Sequence, residues 1–285
     1  MPCDFVAEVS SNHHRDLERS LAFVAAAAAM GCTAVKFQLF RIDELFAPEI
    51  LAARPELRRR RAWELPPEQL PLLARAAHER GLQFSCTPFY LEAVTQLAPH
   101  VDFYKIASYE LLWDELLAAT ARTGRPVVLS TGMATLDEVD HAVAVLRHNG
   151  CRDLRLLHCV SGYPTPLEQC NLAVIDTLRE RYGCGVGWSD HSVRPEVVQR
   201  AVLRWGASMV EFHLDLDGQG AEYATGHCWL PEQMAPVIQG LRAGTAADGS
   251  GDKRPVAAEL ADRDWRADPG DGLRPLRALR RGTGS

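Results

Sequence analysis

Several common signatures are missing from this 285-residue chain. Its eight cysteines are scattered at 3, 32, 86, 151, 159, 170, 184 and 228, and none form a Cys-x-x-Cys pair. A structural zinc site is therefore not expected. There is no basic excess: 31 Lys and Arg stand against 37 Asp and Glu, for a net charge of −6. That excludes a general nucleic-acid binder. The start, Met1-Pro2-Cys3-Asp4, has neither a basic nor an apolar leader region, so no secretory signal is expected. The longest apolar stretch near the start, Ala22 to Met30, is too short to span a bilayer. No close repeat recurs at 20 to 50 residues, which disfavours a solenoid. These absences lead to the expectation of a soluble cytoplasmic protein with reduced thiols and neither nucleic acid nor membrane as a partner.

What is present is a rhythm. With 47% hydrophobic and 24% charged residues the chain can bury a sizeable core. Eight times a short apolar run ends in a polar, chemically capable cluster, and a helical stretch follows. The endings are Ala7-Glu8, Lys36-Phe37-Gln38, Cys86-Thr87, Lys105-Ile106-Ala107-Ser108, Ser130-Thr131, His158-Cys159, Ser189-Asp190-His191 and Glu211-Phe212-His213. Uninterrupted alternation of strand and helix favours parallel pairing with helical crossovers. The expected fold class is α/β, a (β/α)8 TIM barrel over residues 1–243. In that fold all strand ends reach one mouth.

The spacing predicts strands at Phe5–Val9, Ala34–Gln38, Leu82–Cys86, Phe103–Ala107, Pro126–Ser130, Leu154–Cys159, Val186–Ser189 and Met209–His213. The first helix is expected over Arg15–Met30, with Asp16 as N-cap and Gly31 just past its end. Pro66-Pro67 opens a helix running to about Arg80. A long excursion, Leu39 to Leu65, holds the basic run Arg58 to Arg61, which reads as a solvated helix face. From Gly244 the pattern stops. Residues 244–285 read as an extended, partly disordered C-terminal tail with one helical stretch at Leu276–Arg280.

The ring of strand ends would gather two histidines, two lysines, several hydroxyls and three carboxyl groups in one pocket. That inventory suits a metal-assisted reaction on a phosphorylated substrate. Two imidazoles at His191 and His213, on neighbouring strands, suit Mn²⁺ or a similar divalent ion. The plain alternative is a pair of hydrogen-bonded rim histidines. Lys36 and Lys105, with hydroxyls from Ser108, Ser130 and Ser189, suit a phosphate and a carboxylate. Lys105 has a rival reading as a Schiff-base nucleophile. Glu211 lies two residues before His213, and strand alternation points both to one side. It either orients the metal shell or the acceptor, or pairs with a lysine inside the barrel. Cys86 and Cys159 read as small apolar strand-end residues rather than nucleophiles.

Nine motifs in order carry a resemblance: Ala7-Glu8-Val9-Ser10-Ser11-Asn12-His13, Val35-Lys36-Phe37-Gln38, Thr87-Pro88-Phe89, Tyr104 to Glu110, Leu129 to Thr135, Leu157-His158-Cys159, Tyr163-Pro164-Thr165-Pro166, Gly187-Trp188-Ser189-Asp190-His191 and Val210-Glu211-Phe212-His213. Together, over Phe5 to Ala243, they closely resemble the barrel domain of the sialic acid synthases (the N-acetylneuraminate synthase family). The resemblance implies condensation of phosphoenolpyruvate with an aldehyde sugar such as N-acetylmannosamine, with release of phosphate, using Mn²⁺ or Mg²⁺. It assigns the metal to His191 and His213, and makes Glu8 a catalytic carboxylate near the enol. It places phosphoenolpyruvate among Lys36, Lys105, Ser108, Ser130 and Ser189. Gln38, Thr87, Glu110, Tyr163, Glu211 and His227 become acceptor-side candidates. His227 is unmatched: it contacts the acceptor, joins the metal shell, or is a loop histidine without a role.

The chain departs from the family in two places. The C-terminal antifreeze-like domain is not matched, and the loop after the last strand reads Gly220 to Trp229 where the family often has Gly-Pro-Asp. Both departures touch the acceptor side, so a different aldehyde acceptor in a specialised pathway is the first alternative. A non-catalytic sugar-binding barrel is the second. Family analogy suggests a homodimer, which here would need an interface other than the usual swapped domain.

Overall fold

The computed structural model describes residues 3–280. Eight parallel strands close into a barrel in sequence order: β1 Asp4–Glu8, β2 Ala34–Leu39, β3 Gln83–Pro88, β4 Phe103–Ile106, β5 Val127–Ser130, β6 Leu154–Cys159, β7 Gly185–Asp190 and β8 Met209–His213. The closure pairs β1 with β8, setting Glu8 opposite His213. Helices α1 Leu17–Met30, α4 Leu70–Glu79, α5 Leu91–Leu97, α6 Asp114–Arg122, α7 Leu136–His148, α8 Val174–Tyr182, α9 Pro195–Leu203 and α10 Pro231–Gly244 follow the strands; α2 Ile42–Leu45 and α3 Pro48–Ala53 lie between β2 and α4. The main core lies between strands and helices, and includes Phe5, Phe23, Val35, Leu73, Leu129, Trp188 and Ile238.

A second, smaller core fills the barrel itself: Val6, Ala34, Phe103, Val128, Leu157 and Met209. Strand side chains repeat every two residues on one face. The next inward position along each of these strands is therefore Glu8, Lys36, Lys105, Ser130, Cys159 and Glu211. A polar layer thus sits directly on an apolar plug, and it exists because of the strand period. On β7 the plug position is Gly187, where a Cβ would stand 2.2 Å from the Met209 carbonyl oxygen and 2.7 Å from Leu157 Cδ2. Only glycine fits this close strand approach.

The helices begin and end where backbone chemistry requires. Asp16 caps α1, its carboxylate accepting from the Arg19 amide, and Gly31 closes it in the left-handed region at φ 85°. The helix starts two residues later than the hydrophobic pattern suggests, because His14 and Arg15 have φ of 54° and 59°. The helix expected from Pro66 is split into a 3-10 turn, Pro67–Gln69, and α4. Pro71 lacks the amide hydrogen that an unbroken ladder would need.

The excursion from Leu39 to Leu65 forms a lobe containing α2, α3 and a 3-10 stretch Pro55–Trp63. It has its own cluster of Phe40, Ile42, Leu51 and Leu57, with Phe46, Trp63 and Phe89 packed against it. The arginine run is not a plain solvated face. Arg58 donates to the Leu51 carbonyl, Arg61 pairs with Asp43, and Arg60 stacks over Phe46 and Trp63.

The chain divides into two compact units at Arg242 and Ala243. The second contains short 3-10 turns and the helix α11 Arg277–Arg280, with Asp271 paired to Arg277 and Arg280. The last five residues of the expected tail lie outside the described ones. No helix among the described residues is long and apolar enough to cross a membrane.

Candidate active site

One cavity of about 600 Å³ opens over the polar layer and takes in nearly all the residues singled out from sequence. Its floor is ionic. Lys36 Nζ pairs with the Glu8 carboxylate, lies 3.9 Å from Glu211 and donates to Thr87 Oγ1 at 3.2 Å. Lys105 Nζ lies 3.4 Å from Glu211 Oε1, which also accepts from Ser189 Oγ at 3.3 Å. Burial disfavours both ammonium groups. Lys36 is nevertheless raised, because Glu211 and Glu8 flank it. Lys105 is lowered by burial, with the attraction of Glu211 only partly compensating and Lys36 repelling it. Burial likewise opposes ionisation of Glu211, but the two lysines keep its carboxyl below the usual range.

Thr87 and Glu211, both acceptor-side candidates above, stand in contact with the lysines, and for Glu211 this is the lysine-paired alternative. Strand register decides this: Lys36 lies opposite Ser85 on β3, which turns Thr87 into the next position above, and Glu211 is opposite Ser189. Thr87 touches Lys36 without lining the cavity.

A hydroxyl-rich corner adjoins the lysines. Ser108 Oγ accepts from the Gly132 amide at 2.9 Å, and its own hydroxyl lies within reach of the Cys159 sulfur. The buried hydroxyls of Ser130 and Ser161 have no protein partner. A Cβ on Gly132 would come within 2.8 Å of Ser108 Oγ and 2.5 Å of Ser161 Oγ, so glycine keeps this corner open. Glu110, on the 3-10 turn after β4, faces the same cavity. Burial pushes its carboxyl up to about 8, against the pull of Lys105 and Lys36, and Oε2 has no partner.

The opposite wall is a cluster of imidazoles. The rings of His191 and His213 lie 5.3 Å apart, His213 and His227 4.6 Å, and Tyr163 packs on His191 at 4.2 Å and on His227 at 4.8 Å. His191 Nδ1 donates to the Val160 carbonyl at 2.9 Å, and His213 Nδ1 to Glu222 Oε2 at 3.1 Å. His191 follows a rigid strand end, where the Asp190 carboxylate accepts from both indoles, Trp188 and Trp229, at 2.9 Å. Cys159 Sγ sits 3.9 Å from His191 Nδ1. Burial would raise its thiol, but His191 and Lys105 outweigh that and lower it. Cys86, buried in the barrel wall, is raised by burial.

Glu222 was not singled out from sequence, and it organises this wall. Burial opposes its charge, but the adjoining imidazoles of His213 and His227 hold its carboxyl well below the usual range. Ser10 donates to its Oε1 at 2.5 Å, and Gln38 donates to Ser10 at 3.0 Å and to Glu8 Oε1 at 2.7 Å. One hydrogen-bond path therefore connects the floor to the histidines. Asn12 fixes the loop by accepting from the Glu222 amide at 2.8 Å and donating to the Leu214 carbonyl at 2.9 Å. Gly220 permits the approach, since a Cβ there would meet Asn12 at 2.5 Å. The third side of the mouth is apolar: Phe40, Ile42, Leu45, Phe46, Trp63 and Phe89 from the excursion and the β3 end.

The donor chemistry of the histidine wall fits a divalent cation. Metal-binding histidines characteristically donate one ring N–H to a carbonyl or carboxylate, which fixes the tautomer and frees the other nitrogen. His191 and His213 both do so. The whole site defines a class: a (β/α)8 barrel enzyme whose strand ends gather a floor of buried lysines and carboxylates beneath imidazoles suited to a metal. Within that class, the NeuB family model matches residues 23–253, and the chain belongs to that family. It is 36% identical to an uncharacterized protein of Methanocaldococcus jannaschii, over 90% of this chain and 75% of that one. It is 33% identical to an N,N'-diacetyllegionaminic acid synthase of Legionella pneumophila, over 92% and 78%. Among solved structures, an N-acetylneuraminic acid synthetase of Leptospira borgpetersenii, in complex with citrate, superposes with a TM-score of 0.81 at 30% identity, covering 93% of this chain and 92% of that one.

Proposed function

We propose that this enzyme condenses phosphoenolpyruvate with the open-chain aldehyde of an N-acetylmannosamine-like sugar, giving a 2-keto-3-deoxy sugar acid and phosphate. The observation that carries the reading is the vertical order of the cavity: two buried ammonium groups and unpartnered serine hydroxyls on the floor, with two imidazoles of fixed tautomer above. Lys36 and Lys105, with Ser108, Ser130 and Ser189, hold the phosphate and carboxylate of the donor by charge-assisted hydrogen bonds. Glu110, kept protonated by burial, donates to an anionic donor rather than repelling it.

His191 and His213 would hold Mn²⁺ or Mg²⁺, which supplies Lewis-acid polarisation of the aldehyde oxygen. The methylene carbon of the donor forms the new bond to the aldehyde carbon, and the aldehyde oxygen takes up a proton. Water adds to C2 of the donor and passes its proton to Glu8, which Lys36 and Gln38 hold in place. The bond from C2 to the phosphate oxygen then breaks with its electron pair on phosphate, and the C2 hydroxyl gives up its proton to the leaving phosphate as the keto group forms.

The apolar third wall and the unmatched Gly220–Trp229 loop favour a second reading of the acceptor: the same donor chemistry on an aldehyde sugar carrying apolar substituents. Protein supplied with Mn²⁺, phosphoenolpyruvate and a panel of aldehyde sugars should release phosphate only when an acceptor is present. Silence across the panel from protein with demonstrated Mn²⁺ binding would refute the synthase reading. Turnover of N-acetylmannosamine as efficient as that of any other sugar would refute the altered acceptor.

A further inference from the structure

We infer that His227 is a third imidazole ligand of the divalent metal, giving this chain a three-histidine site in place of a two-histidine one. The inference rests on the metal reading above and adds a residue to it.

The argument is a count of protons. The Thr225 hydroxyl has one hydrogen, and it goes to the Glu222 carbonyl oxygen at 2.5 Å, which can only accept. Thr225 Oγ1 must therefore accept from its other neighbour, His227 Nδ1, 2.6 Å away. His227 Nδ1 thus carries a hydrogen. The same holds for His191, whose Nδ1 faces the Val160 carbonyl, and for His213, whose Nδ1 faces the Glu222 carboxylate. All three rings are pinned through Nδ1 by a protein acceptor, and all three keep Nε2 as the free nitrogen. This is the arrangement in which imidazoles bind metals.

Two further observations favour a cation beside His227. Its Nε2 stands 3.4 Å from Glu222 Oε2, which already accepts from His213. In addition, ligand atoms of His213, Glu222, His227 and Cys228 lie within 4.8 Å of one another. Cys228 Sγ accepts from the Asn12 amide instead. Tyr163 packs against all three imidazoles, with His213 at 6.2 Å, and restrains them as a group. Three nitrogens with an adjacent carboxylate favour Mn²⁺ or a later first-row ion over Mg²⁺, which prefers oxygen.

The test is electron spin-echo spectroscopy on the full chain loaded with Mn²⁺, alongside calorimetric Mn²⁺ titration. The wild type should show three coupled imidazole nitrogens. His227→Ala should show two and bind Mn²⁺ about tenfold or more weakly. Thermal unfolding in chelator checks that the variant is folded. Thr225→Val, which keeps the imidazole but removes its acceptor, should also weaken Mn²⁺ binding. Two nitrogens in the wild type, unchanged by His227→Ala, would overturn the inference while leaving the His191–His213 site intact. No coupled nitrogen at all would overturn both.

Discussion

Glu110 provides a prediction that can be worked through in numbers. It is a buried carboxyl whose ordinary value is 4.5 and which burial moves to about 8. Between those values the unfolded chain has released a proton that the folded chain still holds. Folding stability must therefore fall as pH rises through that window, by about 1.4 kcal/mol per pH unit. Over the whole window the loss is roughly 5 kcal/mol, a large share of the stability of an ordinary domain. Glu110→Gln has the shape and hydrogen-bonding capacity of the protonated acid and does not titrate. Urea unfolding of both proteins from pH 5 to pH 9 isolates the term, since their other titrations cancel in the difference. The variant should gain on the wild type steadily with pH, by roughly the amount given, and level off above about 8. Parallel stability curves from pH 5 to 8 would refute the claim that this carboxyl is protonated in the folded protein. In activity assays the KM for phosphoenolpyruvate should rise above pH 8 in the wild type and stay flatter in the variant.

Three other outcomes follow from the packing. Gly187→Ala should cost about 3 kcal/mol in a denaturant titration, because the new Cβ meets a backbone oxygen that a closed barrel cannot move aside; a change near zero would refute that close strand approach. Lys36→Met strands the Glu8 carboxylate and should cost about 3–5 kcal/mol, with most of it recovered in the double variant Lys36→Met/Glu8→Gln; additive losses would show that the pair is not coupled. Ser130→Ala removes a buried hydroxyl without a protein partner, so stability should stay within about 0.5 kcal/mol while the KM for phosphoenolpyruvate rises several-fold. An unchanged KM would remove Ser130 from the donor site.

Much of the barrel was legible from the chain because strands and helices write different periods. β6 and β8 match the bounds read from alternation, and Asp16 and Gly31 close α1 as their chemistry suggests. The polar layer was legible for the same reason, as the residue two positions beyond each plug residue. A further signal was available in lysine usage. Lys36, Lys105 and Lys253 are the only lysines in a chain that otherwise uses arginine, and two of them end strands. Glu222 was not legible. It lies in a loop with no period, nine residues beyond His213, and its importance comes from the His213, Ser10 and His227 contacts. The excursion's lobe was not legible, because short helices around a private apolar cluster leave no long periodic trace.

The chain by itself determined which residues share a face, since neighbours along a strand are held by covalent geometry and alternate with it. Which strand ends become neighbours was decided by the closed barrel. Joining β1 to β8 brings Glu8 beside His213 across 205 residues, and the register of β2 on β3 turns Thr87 toward Lys36. Alternation within a strand says nothing about pairing between strands. That pairing depends on closure, register and loop packing, and these settle which groups meet in the cavity.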